Sequence, residues 1–327
     1  MDFADPASVL KRVEEQNRRS LNRSQDFSDQ NYPGNAIRSY IPIPGAAGAN
    51  ELAKFSSQGV APTAENAKKV LDLMRSASDS ELVILTLMLA KFHNRDNSTT
   101  KNEEILAKLK KLARHPDHRV ARSAARGLAR MAPVVPGVEE ALAAARDSGA
   151  LSPDSYEAER VWVALTSPPK DQARILREIA ATKNKYATQV AAFVLLGHPD
   201  AVKVLQPESI SALKDMVIHT EPTFSKNTSE AGLWDLFNYS DWIQLYGRLE
   251  YPDNWSASQH KIIERLNSPT TDPRAIVAYL SSTAARRARR DPAFADEIAL
   301  LTNKATVYLD QFPHDPYLVG RREAIFD

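Results

Sequence analysis

The chain has 327 residues, no cysteine and a formal net charge of +1, with 43% hydrophobic and 25% charged residues. This is an ordinary folded composition, and near-neutrality gives the chain as a whole no nucleic-acid or membrane signature, so any basic patch is local. Without cysteine there is no disulfide and no thiolate metal site; with only 11 glycines and many alanine-rich stretches the pattern predicts an all-α fold.

The N-terminal MDFADPASVLKRVEEQ lacks a basic n-region and an apolar h-region, so no Sec signal is visible. A cytoplasmic location is expected, with non-Sec export left open. The longest apolar run, Leu82 to Ala90, is too short to cross a bilayer. A short helix is expected from Pro6 to Gln16, followed by a polar stretch and the extended piece AIRSYIPIPGAAGAN. Prolines at 33, 42 and 44 with glycines at 34, 45 and 48 exclude regular helix there. Residues 1–60 therefore read as an extended or partly disordered arm, with Ile37, Tyr40 and Ile41 able to strap it onto a neighbour.

Thr63 is positioned to cap a helix carrying Val70, Leu71 and Met74 on one face. The next helix, DSELVILTLMLAKFH, is apolar nearly all round and is predicted to be buried on both sides. A polar loop, Asp96 to Thr100, leads into EEILAKLKKLARHPDHRVARSAARGLARMA. Here Ile105, Leu106, Leu109 and Leu112 recur at helical spacing. His115-Pro116-Asp117 interrupts them, and Val120, Ala121, Ala124, Ala125, Leu128 and Met131 resume the period. Pro116 disfavours helix at His115, so the first helix is predicted to stop near Arg114, and Asp117 to cap the second.

This leucine-rich helix, Pro-Asp turn and Val-Arg, Ala-Ala second helix resemble a HEAT repeat. The resemblance spans about residues 63 to 200. It implies an all-α, α-α superhelix, a right-handed solenoid of antiparallel pairs whose second helices line a concave surface. It also implies binding rather than catalysis, without naming a partner. Further pairs are predicted at Val138 to Arg146 with Tyr156 to Leu165, and at Asp171 to Ala181 with Tyr186 to Leu196. Ile105, Leu106, Leu109, Val120, Ala121 and Gly127 recur seventy residues on as Ile175, Leu176, Ile179, Val190, Ala191 and Gly197, two units of about 35 residues. The array is expected over residues 61–206, with a C-terminal helical region at 207–327 continuing or capping it. That region contains short helices at Ala201 to Leu205 and Glu208 to His219, then the aromatic GLWDLFNYSDWIQLYGRLEYPDNW, then HKIIERLN, DPRAIVAYLSSTAARRARRDP and AFADEIALLTNKATVYLDQF.

Candidate contact residues follow from these placements. Arg119, Arg122, Arg126 and Arg130 step by three and four along one helix and form a stripe opposite Val120, Ala124 and Leu128. By the resemblance that stripe faces the groove, where it suits an acidic protein surface or, less well, a nucleic-acid backbone; a solvated helix face is the plain alternative. Arg286, Arg287, Arg289 and Arg290 crowd a helix end, more cations than the helix dipole requires. Arg286, Arg287 and Arg290 are therefore taken as partner-binding. Trp234 and Phe237 are expected in the core, and Trp242 and Tyr246 are candidate contact residues, because the aromatics exceed a single stripe.

Enzyme signatures are sparse. There is no phosphate loop, no G-x-S-x-G elbow and no H-E-x-x-H helix. Ser211-x-x-Lys214 lacks the S-D-N and K-T-G companions of penicillin-recognising enzymes. The His115-Pro116-Asp117 tripeptide also occurs in J-domains, but no tyrosine-rich first helix precedes it, and His198-Pro199-Asp200 repeats it at another turn. His115 and His118 alone make no metal site. No catalytic residue, metal or cofactor is expected. The leading expectation is a non-enzymatic scaffold or adaptor that binds another protein. The alternatives are a HEAT-like alkylpurine DNA glycosylase, suggested by Trp162, Asp154 and Arg160 and by Asp235, Asp241, Trp234 and Trp242, or a bacterial secretion accessory, chaperone or immunity protein.

Overall fold

The computed structural model describes residues 6–8, 63–95, 102–131, 134–197, 201–224 and 232–315. The expected extended arm, the Asp96 to Thr100 loop, the turn His198-Pro199-Asp200 and the side chains of Trp234, Asp235 and Phe237 lie outside the described residues. Among the described residues every regular element is a helix and there is no strand. None of these helices is long and apolar enough to cross a membrane. The chain divides into two compact units, Met1–Pro168 and Pro169–Asp327. That division lies inside the run of helices that the sequence assigns to one array.

The first unit contains α1 (Ala64–Leu73), α2 (Asp79–Arg95), α3 (Asn102–Leu112), α4 (His118–Ala129), α5 (Val138–Asp147) and α6 (Pro153–Thr166). Local chemistry sets its boundaries. The Thr63 hydroxyl accepts from the Asn66 N–H at 3.2 Å, and Ser152 caps α6 at Ser155, with Pro153 as its first helical residue. Around His115-Pro116-Asp117, α3 ends at Leu112 and the Asp117 carboxylate accepts from the Arg119 N–H at 2.8 Å and the Val120 N–H at 3.4 Å. The His115 Nδ1 accepts the Asp117 N–H at 3.1 Å, which tightens the turn. Gly149, at φ +80°, closes α5 in a left-handed conformation where a side chain would be strained.

Helix α4 is the hub of this unit and packs on α2, α3, α5 and α6. It presents small residues, so the crossings are close. Ala121, Ala124 and Ala125 are fully buried, and a Cβ on Gly127 would fall 2.7 Å from that of Ala90 on α2. The apolar α2 is enclosed as expected, with Leu85 and Leu89 fully buried. Each such leucine contributes roughly 1.5–3 kcal/mol relative to exposure.

The second unit contains α7 (Pro169–Thr182), α8 (Lys185–Gly197), α9 (Pro207–Ile218), α10 (Gly232–Glu250), α11 (Trp255–Leu266), α12 (Pro273–Leu280), α13 (Thr283–Arg289), a 3-10 turn at Pro292–Phe294 and α14 (Ala295–Gln311). Helix α10 is central here, touching α8, α9, α11 and α12. Gly247 sits at its crossing with α11, where a Cβ would meet Ile262 at 2.6 Å and the Ser258 carbonyl oxygen at 2.8 Å. In both units helices also pack on the next helix but one: α2 on α4 and α4 on α6, then α7 on α9, α8 on α10, α10 on α12 and α12 on α14.

Three local details come from the structure. Ala201 to Leu205 is a run of turns, because five residues offer too little propagation to offset helix nucleation. The stretch from Asp272 to Arg290, whose division the sequence left open, is two helices, because the Ser282 hydroxyl accepts from the Ala285 N–H at 3.1 Å and starts α13 afresh. Trp255 belongs to α11 rather than to the preceding aromatic run, because Asn254 caps that helix through the Ala257 N–H at 3.0 Å.

Candidate interaction surface

The four α4 arginines do not form one open stripe. Arg126 is only 3% exposed, and its Nε lies 3.0 Å from Oε1 of Glu159, itself 3% exposed on α6. Arg130 reaches the same carboxylate in a two-pronged contact, Nη2 to Oε1 at 2.8 Å and Nε to Oε2 at 3.1 Å. Its guanidinium stands 5.7 Å from the Trp162 ring centre. Arg122 donates from Nε to the Ala150 carbonyl at 3.1 Å. These side chains fill the seam where α4 meets α6 and the end of α5. The expected groove stripe is corrected at Arg126, which is buried structure. Arg119 is exposed, but it is held by its own helix cap, Asp117, at 2.7 Å. That hydrogen-bonded guanidinium keeps the Asp117 carboxyl low, at about 2.

The α10 aromatics in the second unit are likewise mostly interior. Trp242 is 3% exposed and donates from Nε1 to the Val217 carbonyl at 2.8 Å. This buried position differs from the open contact expected of it. Tyr246 stacks on Trp242 at 5.8 Å and is half-buried. Tyr239, also buried, sits 5.3 Å from Trp242 on its other side and donates to Glu221 at 3.3 Å. Burial, reinforced by the Glu221 charge, raises the Tyr239 phenol above its usual range. Trp242 also lines a cleft with Lys185, Thr188, Gln189, Thr220 and Asn238. The Thr188 and Thr220 hydroxyls satisfy each other there at 2.8 Å.

The α13 arginines behave differently. Ala285 and Ala288 anchor the short helix, both fully buried, and turn Arg286, Arg287 and Arg290 outward. Arg289 faces inward: its Nη2 donates to the Leu280 carbonyl at 3.0 Å, and burial lowers its pKa from the ordinary arginine value. Arg287 lies 4.0 Å above the Trp255 ring, the closest guanidinium–ring approach among the described residues. Trp255 in turn meets the buried Phe294 edge-on at 5.4 Å. Arg286 bonds only the Thr283 hydroxyl among the described residues, at 3.2 Å. Among the described residues, none of Arg286, Arg287 and Arg290 forms an ion pair, whereas Arg75, Arg119, Arg126, Arg130, Arg146, Arg160, Arg174, Arg265 and Arg274 all do.

The groups singled out for chemistry are engaged elsewhere. Arg160 pairs with Glu157 at 3.1 Å, and Trp162 lies beside Arg130. Lys214 bonds Glu250 at 3.0 Å while Ser211 is exposed. The described residues contain no group of three or more His, Asp or Glu side chains placed to hold a metal. Sequence reasoning missed Glu159, and it set Trp255 outside the aromatic stripe without seeing its pairing with Arg287. Glu159 follows Arg126 by 33 residues, nearly one repeat, which was the available signal. Comparison with models of known protein families, with curated proteins and with solved structures gave no match.

Proposed function

We propose that the chain is a non-enzymatic binding scaffold built of stacked helix pairs of the HEAT-like kind. The observation that carries this reading is the packing of helices on the next but one, because stacked antiparallel pairs bring first helices onto first helices and second onto second. Side-chain links between helices support the same period of about 35 residues. Ser209 to Gln172 and Thr188 to Thr220 join residues 37 and 32 apart. Lys214 to Glu250 spans 36, while His260 to Glu297 and Lys304 to Asn267 each span 37. A repeat architecture presents extended surface to a macromolecule.

The test is affinity capture from nuclease-treated native lysate by the full chain, read by mass spectrometry, beside retention on duplex DNA. A saturable protein partner that survives nuclease is the expected outcome. Retention on DNA that falls steeply between about 50 and 200 mM salt, with no protein partner, would overturn the reading in favour of a glycosylase-like enzyme.

A further inference from the structure

The geometry points to Arg286, Arg287 and Arg290, with Trp255, as a docking site for a carboxylate-rich peptide segment of a partner protein; this rests on the binding reading above. Most described arginines sit against an acid, yet these three, within five consecutive residues, have none among the described residues. Their charge is uncompensated and solvent-facing. Arg286 and Arg290 are four residues apart and so share a helix face, with Arg287 beside them. The Arg287 guanidinium rests 4.0 Å from the Trp255 ring centre, a contact that restrains it before any ligand arrives; pre-organisation lowers the ordering cost of a bidentate contact. The burial of Ala285, Ala288 and Phe294 keeps the platform rigid beneath it.

An acidic peptide suits the size of this patch better than a nucleic acid does. The neighbouring Asp291 caps the following turn, and Glu297 pairs with His260 at 3.0 Å. Three guanidiniums cannot neutralise the long row of phosphates on which duplex affinity depends. They match two or three carboxylates of a short segment, each exposed contact modest and the set together worth about tenfold in affinity.

The experiment is fluorescence anisotropy of a labelled Glu-Ser repeat peptide titrated with the full chain at low ionic strength. Arms with a Gln-Ser peptide, a phosphoserine peptide and single-stranded oligo-dT run in parallel. The Glu-Ser peptide is expected to bind saturably and the Gln-Ser peptide not at all. The variant R286E/R287E/R290E and its milder counterpart R286Q/R287Q/R290Q are expected to weaken binding by about tenfold or more, with unchanged helicity. Equal binding by wild type and both variants, or preference for oligo-dT or phosphoserine over Glu-Ser, would overturn the assignment. A lysate partner that the charge-reversed chain still captures leaves the scaffold reading standing and removes only this site. Peptide binding with no captured partner does the reverse.

Discussion

Helices α4 and α13 carry the same residue at the same kind of spacing, and the fold uses it in opposite ways. On α4, Arg126 and Arg130 share one buried carboxylate, Glu159, and Arg119 is clipped to the cap of its own helix. On α13, Arg286, Arg287 and Arg290 face water with only a hydroxyl and an indole for company among the described residues. An arginine stripe on a helix is therefore ambiguous by itself. What decides its role is whether an acid occupies the corresponding place on the helix that packs against it.

The contrast is most sharply tested at Glu159. Removing the charge with Glu159→Gln leaves Arg126 buried beside a neutral amide, a change expected to cost about 3–5 kcal/mol in urea unfolding. The triple change Arg126→Met, Arg130→Met and Glu159→Met removes the carboxylate with both of its arginines and is expected to recover most of that loss, because well-packed apolar replacements of buried ion pairs are often neutral. A triple variant as unstable as E159Q alone would mean that the seam depends on the ion pairs themselves. The next effect is smaller. Asp117→Ala removes the α4 cap and is expected to cost about 1 kcal/mol at neutral pH.

The same carboxylate provides a pH signature. Its pKa in the folded chain, about 2, lies below the ordinary value of 3.8. Its contribution is therefore complete above the unfolded value and is lost as pH falls through the interval down to about 2. Asp117→Asn keeps a capping oxygen and is expected to flatten that segment of an acid titration of stability. An unchanged acid slope in D117N would show that other carboxylates control it. On α13, by comparison, Arg287→Ala forfeits one stacking contact worth about 0.5–1 kcal/mol. Arg286→Ala and Arg290→Ala are expected to shift stability by less than about 0.5 kcal/mol, measurable as overlapping thermal curves.

The legible part of the fold was the part governed by local rules. The period of Ile105, Leu109, Val120, Ala124 and Leu128 marked the buried faces, and all five are fully buried. Thr63 and Asp117 marked helix starts, and both make their cap bonds. The Gly127 and Gly197 correspondence is a likeness of sequence alone: Gly127 permits a close crossing with Ala90, while Gly197 ends α8 in open space. The fate of the α4 arginines was not legible from α4. Burial of Arg126 depends on Glu159 arriving from α6, and helical spacing marks which side chains share a face without saying what covers it. For the same reason Trp242 and Tyr239 could not be told from contact residues. Their interior position depends on the carbonyl of Val217 and the carboxylate of Glu221, which come from outside α10. On α13 the crowding marked Arg286, Arg287 and Arg290 as a group, and all three are exposed, but the Trp255 ring under Arg287 comes from α11 and was no more legible than Glu159.

The most direct measurement is the urea midpoint of E159Q set beside that of R286E/R287E/R290E. With a slope of about 1–3 kcal/mol per molar urea, the first is expected to fall by about 1 M or more and the second by no more than the Arg287–Trp255 contact accounts for, less than about 0.5 M. A charge-reversed α13 that unfolds as early as E159Q, or an E159Q as stable as the wild type, would contradict the division between arginines that hold the fold and arginines that face outward.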